Sequence, residues 1–177
     1  MLMDLVDELK PKNYGKRTIL VAQDAIARNC YFVIKGCLRL FFLDENGVEN
    51  TSEFFAEEDS LTIIESYRNN QPSPYSVECL EDCMLLESDL SQEENMKSTN
   101  SALGTIIQRA LENSLNKNQN AQSRFRAMSP ELRYLDFLKV RPGLAARIPQ
   151  HQLASYLGMK PESLSRIKNR LHFSEKT

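Results

Sequence analysis

QHQLASYLGMKPESLSRIKNR, residues Gln150 to Arg170, reads as two short helices about a turn. Leu153, Ala154 and Leu157 make the inner face of the first helix. Gly158 follows where the chain must reverse, and without a Cβ it takes positive φ at little cost. Pro161 suits the first turn of the second helix, where its missing N–H would have no partner anyway. Leu164, Ile167 and Leu171 return an i, i+3, i+7 stripe, and the small Ala154 lets the helices approach closely. Apolar spacing alone fits any helical hairpin. The Ala, the turn Gly, the second stripe and a basic outer face together fit the helix-turn-helix motif, whose second helix enters a DNA major groove.

The outer face of the second helix carries the candidate reading residues. Arginine reads guanine bidentately, glutamate accepts from cytosine N4, and serine is adaptable. Glu162, Ser163, Ser165 and Arg166 are therefore the candidate base readers. Glu162 and Arg166 are four apart, so they either meet adjacent base pairs or pair with each other on the free protein. Gln150, His151, Lys160, Lys168 and Arg170 are the candidate phosphate contacts. Lys160 sits where a Ser or Thr cap is usual, and a cation there opposes the helix dipole unless a phosphate is near. For Gln150 and His151 the plainer reading is exposed helix-start residues.

The charge falls where that reading needs it. The whole chain of 177 residues has a net charge of −2, yet residues 124–177 hold eleven Lys+Arg against four Asp+Glu. Residues 1–123 hold eleven against twenty. A basic segment is an electrostatic footprint for a polyanion, and the acidic remainder favours docking on one side only. A solvated charged face would look similar in composition.

Upstream the period changes. Ser129-Pro130 opens a helix expected from Glu131 to about Val140, which Pro142-Gly143 ends. From about Glu93 to Arg126 there is no proline, and apolar residues recur at helical spacing, with a near-heptad seam at Leu111, Asn118 and Phe125. A helix of about 30 residues would extend about 45 Å, more than a small domain needs. Its length favours a coiled coil over a surface helix, with Leu103, Ile107, Leu111, Asn118 and Phe125 as the homodimer interface and Asn118 fixing register. From Thr18 to about Asp89 the pattern is β. Strands are expected at Thr18–Val21, Tyr31–Ile34 and Cys37–Leu43, then around Glu49–Phe55, Tyr75–Cys79 and Met84–Leu86. Asn46-Gly47 suits a tight hairpin.

Other classes fare poorly. The hydrophobic share of 41% suffices for a packed core. No apolar run approaches the roughly 20 residues that span a membrane, and residues 1–10 lack a signal-peptide pattern. A soluble, cytoplasmic protein with no membrane partner is expected. Cys30, Cys37, Cys79 and Cys83 form no CxxC pair and lie far from His151 and His172. They read as small buried hydrophobes, with no metal, no cofactor and no disulfide framework. No Gly-rich phosphate loop or nucleophile–His arrangement points to an enzyme.

The order β-roll, long helix, short helix, helix-turn-helix resembles the Crp/Fnr family of bacterial transcription regulators. Pro161-Glu162-Ser163-Leu164-Ser165-Arg166-Ile167 looks like that family's recognition helix, and the resemblance implies base reading by Glu162, Ser165 and Arg166. Tyr31–Gly36, with the hairpin at Asn46-Gly47, resembles the family's cyclic-nucleotide-type roll. The fold implied is α+β: a jelly roll over residues 1–92, a dimerisation helix over 93–127 and a helix-turn-helix domain over 128–177.

The chain also departs from the family. Members that bind cyclic AMP hold the ribose and phosphate with a Gly-Glu pair and a downstream Arg. Here Thr62 and Ile63 fall near the first places and Ser73 near the Arg; Glu65 fits only under a shifted alignment. Thr62, Ile63, Glu65, Ser73 and Tyr75 line the candidate effector pocket, and a pocket without its cation lacks a major contact to phosphate. Tight cyclic AMP binding is not expected, and the small-molecule effector is unassigned. No cysteine precedes Cys30, so the oxygen-sensing cluster of the Fnr branch is unsupported. The sequence stops at Thr177, so a β-wing after the motif is expected to be absent or vestigial. The expected function is a homodimeric regulator on an inverted-repeat site in double-stranded DNA, acting with RNA polymerase. The alternative is a ligand- or protein-binding module whose helix-turn-helix does not read DNA.

Overall fold

The computed structural model describes residues 10–90 and 127–174. The first stretch forms two four-stranded antiparallel sheets packed face to face. Strands β1 (Lys12–Tyr14), β8 (Cys83–Asp89), β3 (Asn29–Lys35) and β6 (Ser60–Leu61) lie in that order in one sheet. The order β2 (Ile19–Val21), β7 (Ser76–Cys79), β4 (Leu38–Leu43), β5 (Glu49–Phe55) makes the other. A six-residue helix, α1 (Ile64–Asn69), interrupts the strands. The second stretch is helical: α2 (Pro130–Val140), α3 (Leu144–Arg147), α4 (Gln150–Tyr156) and α5 (Pro161–Ser174).

Side chains alternate across a strand, so register decides which face each residue serves. Leu38 pairs with Phe55 and Cys79, and the three point between the sheets, where Val33, Val77 and Leu85 are also buried. One step on, Arg39 pairs with Phe54 and Glu78 on the opposite face. That outer face is not left to solvent. Phe54 is buried there against Phe137 of α2 and Leu153, Ala154 and Leu157 of the α4 region. Both faces of the second sheet are thus covered, which gives the chain two cores. Alternation along the β strands marks the first core, and the helical stripes mark the second.

Arg39 is the unexpected member of the outer face, because it is fully buried. Its Nε donates to Thr51 Oγ1 at 2.9 Å, and its Nη1 reaches Glu49 at 2.6 Å and Glu78 at 3.4 Å. Its guanidinium also stands 4.3 Å from the centre of the Phe41 ring. A buried cation persists only with partners of this kind.

Strands expected from the sequence occupy the expected places, with β5 matching residue for residue. The hairpin between β4 and β5 differs in detail. Only Gly47 takes positive φ, and the Asp44 carboxylate accepts from the backbone of Asn46 and Val48, making a wider turn than two residues. Strands β1 and β6 and helices α1 and α3 were not anticipated. Each is six residues or shorter and is fixed by neighbours rather than by its own pattern. Helix α2 starts as expected: the Ser129 hydroxyl accepts from Leu132 N at 3.3 Å, and Pro130 opens the first turn. The expected dimerisation helix over 93–127, with Leu103, Ile107, Leu111, Asn118 and Phe125, lies outside the described residues, apart from Ala127.

Phe54 joins the outer core of the second sheet to the helices, so Phe54→Ala is expected to cost about 3–5 kcal/mol in urea unfolding. A loss under about 1 kcal/mol would show that this core contributes little.

Candidate nucleic-acid interface

Helix α4 ends as its sequence requires. Gly158 takes φ 65°, its N–H donates to Ser155 O at 3.0 Å, and Met159 N donates to Ala154 O at 3.0 Å. This pair of bonds is the Schellman ending, which satisfies carbonyls the helix would otherwise leave open. A Cβ at Gly158 would lie 3.0 Å from Arg133 Nη1, whose guanidinium donates to Leu157 O. The Lys160 carbonyl then accepts from Ser163 and Leu164, starting α5. Leu164 and Ile167 turn inward onto Leu153, Ala154 and Leu157.

That packing fixes what α5 shows to solvent. Glu162 and Arg166 are exposed one turn apart, and Asn169 continues their stripe. Among the described residues neither Glu162 nor Arg166 makes an ion pair, so both are free for another partner. Ser163 and Ser165 are half-buried beside them. Lys160 and His151 are exposed, and Gln150 Nε2 donates to Pro161 O at 3.2 Å. Lys168 and Arg170 turn back toward α2. Lys168 Nζ stands 5.8 Å from the centre of the Tyr134 ring, and Arg170 pairs with Glu131.

The charge split has a second use that the sequence did not disclose. Arg147 of α3 donates two bonds to Glu57, at 2.9 and 2.8 Å, and also pairs with Glu81. Arg141 reaches Asp59 at 2.9 Å and Glu53 at 3.7 Å. Both arginines belong to the basic segment, and all four carboxylates belong to the acidic roll. Part of the positive excess therefore fastens the helices to the roll. Ser155 adds a neutral link, accepting from Thr51 N at 2.9 Å. Long-range partners of this kind leave no mark at fixed spacing, so only the opposite charges of the two segments hinted at them.

The candidate effector residues do not form one polar cluster. Ser73 is fully buried, and its hydroxyl donates to Tyr75 O at 2.7 Å and accepts from Tyr75 N at 3.0 Å. Its backbone bonds to Asp24 and Ala25 close the neighbouring loop over it. Ile63 belongs to the inner core, Glu65 is exposed in the first turn of α1, and the Tyr75 ring meets Phe42 edge-on at 6.1 Å. Thr62 Oγ1 is buried with no hydrogen-bond partner. No group of three or more ligating side chains among the described residues could hold a metal, and no described helix is long and apolar enough to cross a membrane.

The cyclic nucleotide-binding domain family matches residues 11–100. No curated protein matches the sequence significantly. Solved structures match over almost the whole chain. FixK2 from Bradyrhizobium japonicum is 17% identical with a TM-score of 0.77, covering 94% of this chain and 86% of its own. CLP, the c-di-GMP-responsive global regulator of Xanthomonas campestris, is 17% identical with a TM-score of 0.74, covering 98% and 91%. A regulator of the Crp/Fnr family from Eubacterium rectale is 16% identical with a TM-score of 0.70, covering 95% and 80%. At these identities the likeness is one of fold.

The Arg147 hydrogen bonds hold the Glu57 carboxyl at about 2, below its ordinary 4.5. A carboxyl held down in this way stabilises the fold above its unfolded pKa, and the contribution is lost as pH falls from about 4.5 toward about 2. Urea midpoints of the wild type should therefore fall more steeply across that window than those of Arg147→Ala, which start lower. Parallel slopes would mean that the pair does not hold the helices down.

Proposed function

This chain belongs to the cyclic nucleotide-binding domain family, and from that premise we propose that it is a homodimeric, sequence-specific DNA-binding transcription regulator of the Crp/Fnr type, a reading supported by its likeness in fold to regulators of that kind. The observation that carries the reading is the pair Glu162 and Arg166, exposed one turn apart on α5 and free of ion pairs, on a helix anchored from behind by Leu164 and Ile167. In this reading α4 and α5 are a helix-turn-helix, and α5 enters the major groove with its first turns at the bases. Arg166 donates to guanine, Glu162 accepts from cytosine, and Ser163 and Ser165 adjust to what lies between. Gln150, His151 and Lys160 meet phosphates, where the anion also relieves the cation at the start of α5. Lys168 and Arg170 join them by exchanging Tyr134 and Glu131 for the DNA backbone.

Residues 1–92 serve as the sensor domain, 93–127 as the dimerisation helix and 128–177 as the DNA-binding domain. Two-fold symmetry then requires an inverted repeat with half-sites about 34 Å apart, and the regulator acts on transcription through RNA polymerase. Cyclic AMP is not the effector in this reading. The place of the phosphate-binding Arg holds Ser73, whose hydroxyl is already engaged. A thermal shift with micromolar cyclic AMP would overturn that part.

Selection of bound duplexes from a random pool tests the proposal. Wild-type protein should enrich an inverted repeat, and Arg166→Ala should relax one position in each half-site, at a cost of about 1–3 kcal/mol for the preferred base. Lys168→Ala should instead weaken all sequences alike and lower the salt slope by about 1. No enrichment at low salt, with or without cell extract, would favour a module whose helices bind a ligand or a protein instead of DNA.

A further inference from the structure

Helix α2 commits one side to the protein and, among the described residues, leaves the other to solvent. Tyr134 and Phe137 are buried in the outer core, and Leu138 packs beside them. Arg133 donates to Leu157 O, and Arg141, just past the helix end, pairs with Asp59. The opposite side carries Leu132, 54% exposed, and Leu135, 39% exposed, with the exposed Lys139 in line with them. Spacing of i, i+3 and i+7 puts the three on one face. Single exposed leucines are ordinary. These two belong to a pattern that begins upstream of α2.

A seven-residue repeat in the sequence runs into this face. One of its positions falls on Leu111, Asn118, Phe125 and Leu132; the other falls on Ile107, Ser114, Ala121, Met128 and Leu135. Only Ser114 and Asn118 among them are polar. Within α2 the repeat selects the two exposed leucines and misses the two buried rings. Ser129 is extended and Pro130 starts α2 afresh, so the outer core, not an incoming helix, decides how α2 turns. Core and repeat therefore agree independently on which side faces away from the roll.

We propose that this face of α2 is an interaction surface for a second copy of this chain, with Leu132 and Leu135 extending the dimer seam across a two-fold axis. The inference rests on the homodimer reading above and adds where the seam reaches the helices. Residues 91–126 lie between the described stretches and end just before Ala127, three residues short of α2. A seam formed by that segment brings two copies of α2 closest at their first turns, where the leucines stand. A two-fold contact must be self-complementary, which suits an apolar pair bordered by Asp136 and Lys139, of opposite charge. Two leucines a side bury far less than the roughly 800 Å² per partner of a stable interface, so α2 extends a seam made elsewhere. The contact also sets the spacing of the two copies of α5, because α2 shares its core with α4 and α5.

The test is sedimentation equilibrium of the full chain over a range of protein concentrations. Leu132→Glu and Leu135→Glu should each raise the dimer dissociation constant about tenfold, since a charge enters an apolar contact. Val140→Glu alters a residue 65% exposed on the same helix but outside the repeat, and should leave the constant unchanged. In a second measurement, Leu132→Cys is treated with a short bismaleimide and digested with trypsin. The peptide from Ala127 to Arg133 should be recovered joined to its own copy. This readout holds even where a Glu variant fails to fold. A wild-type dimer that neither Glu variant weakens would overturn the interface and leave the homodimer standing. So would a dimer without the linked peptide, the outcome if the same chain or another protein covers α2. A wild type that is monomeric at every concentration would overturn the homodimer reading, and this interface with it.

Discussion

The outer face of the second sheet is the surface on which the rest of the arrangement depends. Phe54, Phe137 and Tyr156 meet there as three rings, with centres 5.3 to 6.4 Å apart. A sheet this apolar on both sides must be covered on both, and the chain covers it with its own helices. Once α4 lies on β5, α5 can pack on α4 only through Leu164 and Ile167. Glu162 and Arg166 are then directed outward by default. The outward face of α5 is a consequence of where the aromatic rings are buried, several residues away from Glu162 and Arg166.

Charge completes what the rings begin. Arg141 and Arg147 span from the helices to four carboxylates on the roll, and both pairs are partly exposed. Exposed pairs contribute little each, so their value lies in orientation more than in stability. Arg147 forks onto Glu57 while Glu57 also accepts from Gly36 N at 2.9 Å, so one carboxylate ties a strand end and a helix together. Lys160 and Arg166 stay exposed.

What the sequence disclosed follows from how local each cause is. Gly158 and Pro161 mark a turn and a helix start through their own backbone constraints, so the turn between α4 and α5 and the start of α5 were legible, though not the run of α5 to Ser174. Strand β5 was legible from its alternation. Helix α3 was not, because four residues between Gly143 and Pro149 carry no period. The Asn46-Gly47 signal was right about a hairpin and wrong about its width, since the Asp44 carboxylate organised the turn. Ser73 was legible as a departure from the family pattern, but not as a hydroxyl closed onto Tyr75. The outward stripe of Glu162 and Arg166 followed from spacing. The inward turn of Lys168 and Arg170 did not, because Tyr134 and Glu131 lie more than thirty residues away. Cys79 and Cys83 show no motif spacing; the passage of the chain from one sheet to the other places both in the inner core.

Strand β5 has one further consequence. It is the last strand of its sheet, and α4 lies along it with the Ser155 hydroxyl receiving the Thr51 N–H. An uncovered edge of this kind is a template for pairing with another chain. The helices packed on it therefore also act as a chaperone built into the polypeptide, keeping the roll from associating strand to strand. Selection for solubility would preserve α4 and its seam whatever side chains α5 presents to solvent.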